Sequence, residues 1–272
     1  MFNRREFLGT TISAAVAAGA MSNGANAAQA KAGEHAPAHP DTVIELRQYT
    51  LRGGKRDTLI AMFEESFQQP LNDDGAHVIG TFRDLDDPDR FVWMRGFRDM
   101  AARPQALSAF YDGALWKSKR DAANATMLDS DNVLLLKPVS ADAGFHASPS
   151  SAGADEIIAA NIYYIGNVDA QAFAAFFDQS MRPHIEELGA KPIARFVSEE
   201  APNNFPRLPI REHDRVFIWF ARWPNAEAER AFAARFAASS GWRDQAPEAL
   251  FPALMRKPER LRLAPNAKSE LR

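Results

Sequence analysis

The chain repeats itself. From Tyr49 to Phe82 its residues recur 114 positions later: Tyr49 matches Tyr163, Leu59 matches Phe173, Met62 matches Phe176, Phe63 matches Phe177, Gly75 matches Gly189 and Phe82 matches Phe196. Beyond that the spacing is 126, pairing Phe91 with Phe217, Trp93 with Trp219, Asp99 with Asn225, Phe110 with Phe236 and Trp116 with Trp242. The change falls in one place, where the second copy carries VSEEAPNNFPRLPIREHDRV against the shorter RDLDDPDR of the first. Loops absorb length changes at small entropic cost, so a gap confined to a Pro-rich loop is what a duplicated folding unit predicts.

Each copy spells one order of elements. Val43–Leu51 and Ile157–Ile165 are rich in branched and aromatic residues, as strands are. Leu59, Met62, Phe63 and Phe67, and their counterparts Phe173, Phe176, Phe177 and Met181, then fall at helical spacing and give each helix one apolar stripe. Gly75 and Gly189 suit the helix ends, and a strand follows to Phe82 or Phe196. The third strand, Phe91–Phe97 or Val216–Arg222, is apolar on both faces and must be covered twice. Asp99 and Asn225 stand at N-cap positions of the next helix. A short helix follows Trp116 or Trp242, and a last strand (Asn132–Lys137, Glu259–Leu263) completes a βαββαβ order, which is ferredoxin-like.

Such a four-stranded sheet has helices on one face only, and the other would leave an apolar patch in water. The economical solution brings the two bare faces together. The expected fold is therefore α+β: two tandem ferredoxin-like units, residues 42–139 and 156–265, forming a pseudo-twofold dimeric α/β barrel within one chain. Ala-, Ser-, Gly- and Pro-rich stretches at 28–41 and 140–155 read as linkers, and 266–272 as a tail.

Residues 1–27 read as a leader. The Arg4-Arg5 pair with Glu6, Phe7 and Leu8 fits a twin-arginine export address, and a small-residue apolar run leads to Ala-x-Ala sites ending at Ala27 and Ala30. Export to the periplasm or beyond is the expectation, with no transmembrane anchor because no stretch approaches about 20 apolar residues. The absence of cysteine removes disulfides, thiol nucleophiles and Cys-based metal sites together. Loss of the leader would move the formal charge from −3 to −4, which argues against a nucleic-acid partner. Association between chains stays open.

The first half carries Glu45-x-Arg47-x-Tyr49-x-Leu51, then Trp93-x-Arg95-Gly96-Phe97, then Phe110-Tyr111-x-Gly113-x-x-Trp116. On these motifs it resembles the NIPSNAP family in its extended bacterial form. The second half departs from the pattern, with Ala159 and Asn161 in place of the Glu and Arg. The resemblance implies a dimeric α/β-barrel fold. Related barrels include cofactor-independent oxygenases, heme-handling proteins and isomerase-like enzymes, so fold alone assigns no reaction.

Strand alternation puts Glu45, Arg47 and Tyr49 on one face and Ile44, Leu46 and Gln48 on the other. With the apolar pair turned to the helices, Glu45, Arg47 and Tyr49 would enter the space between the sheets, either to orient a small anionic or phenolic ligand or as a self-satisfied ion pair. Trp93 and Arg95 would add an aromatic wall with one cation, Trp219 would face it, and Tyr163 repeats Tyr49. His77 could act as a base or an axial heme ligand. His184 and His213 form no metal spacing, no nucleotide loop or nucleophile elbow is present, and no cofactor is expected. The sequence thus points to a small apolar or aromatic molecule bound between the sheets. Two alternatives stay open, a cofactor-independent oxygenase or isomerase and a non-catalytic module presenting the loop from Ala201 to His213.

Overall fold

A computed structural model describes residues 41–146, 153 and 155–272; the leader expected over 1–27 and most of the 28–41 linker lie outside the described residues. The first half runs β1 (Val43–Leu51), α1 (Arg56–Met62), a π-helical segment Phe63–Phe67, α2 (Gln68–Asp73), β2 (His77–Asp84), β3 (Arg90–Phe97), α3 (Ala102–Asp112), α4 (Ala114–Asn124), β4 (Met127–Asp129) and β5 (Val133–Pro138). The second runs β6 (Ile157–Tyr164), α5 (Ala170–Phe176), a π-helical segment Phe177–Met181, α6 (Arg182–Glu187), β7 (Pro192–Ser198), β8 (Val216–Trp223), α7 (Ala226–Ala238), a 3-10 turn Glu248–Leu250, α8 (Phe251–Met255) and β9 (Glu259–Pro265).

Local chemistry sets these boundaries. Asp169 Oδ1 accepts the Ala172 amide at 2.7 Å and Asn225 Oδ1 the Ala228 amide at 2.9 Å, satisfying free N–H groups at the starts of α5 and α7. Asp99 accepts the Ala102 amide at 2.7 Å ahead of α3. Gly75 and Gly189, at φ 91° and 96°, hold the left-handed turn after α2 and α6 that a Cβ would strain.

All strand pairings are antiparallel. β5, β1, β3 and β2 lie side by side in that order, and β9, β6, β8 and β7 do likewise. Two seams join the runs: β2 pairs with β9 through Phe82↔Pro265 to Asp84↔Leu263, and β5 pairs with β7 through Leu136↔Ser198 to Pro138↔Phe196. The result is a closed eight-stranded antiparallel barrel, with β4 attached to the end of β1. Closure leaves those eight strands no free edge, which removes the usual template for unwanted strand pairing.

The faces of β1 and β3 are the reverse of the sequence expectation. Ile44, Leu46, Val92 and Met94 point into the barrel, where they pack with Leu134, Ile158, Ile162, Ile218, Phe220 and Leu261. Tyr49, Phe91 and Trp93 instead pack outward, under α1 to α4 with Leu59, Phe63, Phe67, Leu107 and Phe110. The second half repeats this: Tyr163 and Trp219 lie in a core with Phe173, Phe177, Phe232 and Trp242 on the helix side. The physical reason is polar satisfaction. The helix side supplies partners for a buried acid and guanidinium, among them Arg103 of α3 for Glu45.

Among the described residues, no helix is long and apolar enough to cross a membrane. The Pro-rich loop between β7 and β8, which one alternative reading presents to a partner, packs in part against the first half. Phe205 is buried in the first half's helix-side core, with Leu208 and Ile210 packed beside it.

Candidate functional site

Glu45 on β1 is fully buried and is gripped by three arginines. Arg47 Nη1 lies 2.5 Å from Oε2, Arg95 Nε and Nη2 lie 2.8 and 2.7 Å from the same oxygen, and Arg103 Nε and Nη2 lie 2.8 and 2.7 Å from Oε1. Arg47 comes from the same strand, Arg95 from β3, where it is Glu45's register partner, and Arg103 from α3. Burial alone would raise the Glu45 carboxyl, but Arg95, Arg47 and Arg103 hold it far below the usual carboxylate range. The loop from the second half closes the cluster, since Arg103 Nη1 donates to Asn203 Oδ1 at 3.0 Å and Asn204 Oδ1 at 2.8 Å. Three guanidiniums against one carboxylate leave the cluster with excess positive charge.

Aromatic rings surround it. The Arg47 and Arg95 guanidiniums sit 5.5 and 5.1 Å from the Trp93 ring. Arg47 Nε donates to the Tyr49 hydroxyl at 2.9 Å, and Arg95 Nη1 to the Tyr111 hydroxyl at 3.4 Å. Burial pushes the Tyr49 phenol above its ordinary value although Arg47 opposes this, so the ring stays protonated at neutral pH. Beside these phenols lies a small apolar cavity of 40 Å³ between the sheet and the helices, bounded by Phe63, Phe67, Trp93 and Trp116 among others.

A larger cleft of 560 Å³ opens at the barrel end where β1 and β2 begin. Ile44, Ile79, Phe145 and Leu271 form its apolar floor, with His77, Lys137, Glu199 and Glu270 around the rim. The chain's tail borders it: the Leu271 amide bonds the Ile79 carbonyl at 2.8 Å, and its side chain joins the barrel core.

His77 stands at this rim and lines the cleft. Its Nδ1 meets Asp41 at 2.6 Å and its Nε2 meets Glu270 at 2.8 Å, and these two carboxylates raise its pKa from the usual 6.5 to about 10. An imidazolium with both nitrogens engaged can neither accept a proton as a base nor ligate heme iron, so His77 fits neither role. A raised folded-state value means stabilisation that is complete below pH 6.5 and lost as pH rises through about 10. His77→Asn is expected to melt below the parent protein at acidic and neutral pH and to match it above about 10. A pH-independent gap in thermal melts would contradict the clamp.

The structure therefore gathers Glu45, Arg47, Tyr49, Trp93 and Arg95 into one buried site under the helices of the first half. His77 lies at the barrel end, and Tyr163 and Trp219 lie in the second half's helix-side core. The sequence reading missed Arg103, Tyr111, Asn203 and Asn204, which complete the cluster, and Asp41 and Glu270, which clamp His77. Tyr111 was within reach, because it belongs to the Phe-Tyr-x-Gly-x-x-Trp motif; the asparagines carried no signal.

A closed antiparallel barrel with its helices outside and buried charge clusters beneath them defines a mixed α/β barrel protein. Residues 44–141 match the model of the NIPSNAP family. Among curated proteins, none matches the sequence. Among solved structures, the chain resembles a candidate monooxygenase from Lactobacillus acidophilus NCFM, with a TM-score of 0.51 at 11% identity over 83% of this chain and 94% of that one. A candidate monooxygenase from Fusobacterium nucleatum gives a TM-score of 0.53 at 7% identity over 84% and 94%. A NIPSNAP family protein from Agrobacterium tumefaciens aligns with 37% of this chain and 89% of its own at 20% identity and a TM-score of 0.34. At these identities the likeness is one of fold alone.

Proposed function

We propose that this chain is an exported barrel protein that binds a small apolar or aromatic molecule in the cleft at the barrel end. The observation that carries this reading is the cleft itself. Its 560 Å³ falls within the roughly 300–1,000 Å³ of small-molecule sites, and an apolar floor with a few charged groups at the rim is their usual make-up. The filled interior accounts for the shift from the middle of the barrel to its mouth: Leu46, Val92, Ile158 and Ile218 are buried against one another there.

Export rests on the Arg4-Arg5 address and the Ala-x-Ala sites of the leader. Duplication of one unit, 42–139 and 156–265, is supported by the π-helical segments Phe63–Phe67 and Phe177–Met181 and the turn glycines Gly75 and Gly189, each pair 114 residues apart. Two copies with their own four-stranded runs would make the chain its own dimer. An oxygenase reading draws only on fold likeness to the candidate monooxygenases, and we rank it below binding.

Native mass spectrometry of the protein purified from the periplasm tests location and ligand together. A small molecule travelling with the protein is expected, and Ala141→Trp, at the exposed cleft rim, should lose it with little change in melting temperature. Recovery only from the cytoplasm, or equal loading of the Trp variant, would count against the proposal.

A further inference from the structure

The segments that follow the last strand of each half fold in the same way. Past β5, the Ala143 amide bonds the Ser140 carbonyl at 3.0 Å; past β9, the Ser269 amide bonds the Asn266 carbonyl at 3.1 Å. Ser140 with Asn266, and Ala143 with Ser269, are counterparts at the later repeat spacing. Each turn then docks on an equivalent strand. Arg195 of β7 donates its amide to the Ala143 carbonyl at 2.8 Å, and its counterpart Thr81 of β2 donates its amide to Ser269 Oγ at 3.2 Å.

Just beyond each turn stands one large apolar side chain, Phe145 in the first half and Leu271 in the second, again counterparts. Both enter the same barrel mouth. The Phe145 ring lies 5.1 Å from Phe196 and 5.0 Å from Phe220, and Leu271 is 4% exposed within the barrel core. Leu271 is held by its amide on the Ile79 carbonyl and, through its neighbour Glu270, by His77 Nε2, each at 2.8 Å.

These two side chains belong to the floor of the 560 Å³ cleft. Its wall is one-sided: Asp41, Thr42, His77 and Lys137 line it, whereas their counterparts Asp155, Glu156, Lys191 and Leu263 do not. Deeper along the strands the interior is filled by Leu46, Val92, Ile158 and Ile218. A molecule entering the cleft therefore meets Phe145 and Leu271 where its path ends.

Resting on the small-molecule reading of the cleft, we propose that Phe145 and Leu271 are its specificity-determining residues, a paired stop that fixes how long an apolar chain the site accepts. The polar end of the ligand stays at the rim, and its apolar end points at the stop. Each methylene buried before the stop strengthens binding about fourfold, and one that meets the stop adds nothing. Truncating either side chain deepens the cleft, because strands bonded into a closed ring limit how far the vacated space collapses.

The probes are the straight-chain alcohols from n-butanol to n-dodecanol, titrated calorimetrically into the full mature protein. In the wild type, affinity is expected to climb with chain length and then level off at one chain length. In Phe145→Ala and in Leu271→Ala the climb should continue for about three further methylenes, so that the longest chains bind on the order of fiftyfold tighter than in the wild type. Alcohols too short to reach the stop should bind all three proteins alike, which also reports that the variants are folded; either variant alone carries the test if the other is unstable. A levelling point that neither truncation moves would overturn the stop while leaving the cleft as a binding site. Absence of binding to the wild type, or equal binding of the series by Ala141→Trp, would instead overturn the cleft reading and the stop with it.

Discussion

Glu45→Gln should be the most damaging single change in the first half, costing about 3–5 kcal/mol, as expected when one partner of a buried ion cluster is removed. For a domain of this size, about 2–4 °C of melting temperature is lost per kcal/mol, so a fall of about 6–20 °C follows. The carboxylate is the only negative group on the three buried guanidiniums of Arg47, Arg95 and Arg103 among the described residues. Glutamine keeps the shape and can accept one set of hydrogen bonds, but it leaves like charges facing one another without compensation. Removing one arginine relieves that repulsion, so Arg47→Met should cost distinctly less than Glu45→Gln. Thermal denaturation of both variants decides the point; equal losses would mean that the charge excess has no energetic consequence.

Phe196→Ala is the second large effect expected. Phe196 is fully buried inside the barrel, its ring 5.1 Å from Phe145 and 5.8 Å from Phe220, and it is also the β7 residue that pairs with Pro138 across a seam. Truncation removes core contacts and leaves a cavity that surrounding strands, closed into a barrel, cannot collapse to fill. A loss of about 3–5 kcal/mol is expected from denaturant unfolding, against under about 1 kcal/mol if the ring were merely covering one separate sheet. Because Phe196 pairs across a seam and belongs to the core that both runs of strands share, the loss should appear as a shift of one cooperative transition.

Much of the architecture was legible in the sequence because it rests on local signals. Val43–Leu51 was bounded correctly from its branched and aromatic content, and Asn225 and Gly75 announced a helix start and a helix end through their own backbone chemistry. What alternation could not give was the direction of each strand face. It shows that Glu45, Arg47 and Tyr49 share a side, and both sides of β1 are buried, so hydrophobicity does not choose between them.

A usable clue lay in comparing the halves. Ile44 and Leu46 correspond to Ile158 and Ala160, apolar in both copies, while Glu45 and Arg47 correspond to Ala159 and Asn161. At these positions the face that is apolar in both halves is the one turned into the barrel core. The charged face tolerates difference because helices and loops can supply different partners: Arg103 and the Asn203-Asn204 loop serve Glu45, whereas in the other half Glu229, at Arg103's repeat position, pairs with Arg260 and Arg262. Those long-range partners were illegible for a simple reason. Asn204 is 101 residues from Arg103, inside the one segment that the repeat does not cover.

The central structural claim is that two runs of strands share one closed hydrogen-bonded barrel. Amide hydrogen exchange read residue by residue tests it most directly at the seams, where the Leu85 amide bonds the Arg262 carbonyl at 2.8 Å and the Glu199 amide bonds the Leu135 carbonyl at 2.9 Å. Both amides should be protected to the same order as those of β1 and β3, opening only with the whole unit. Exchange at unprotected rates for Leu85 and Glu199 while β1 and β3 stay protected would mean that the halves are separate sheets and the barrel is not closed.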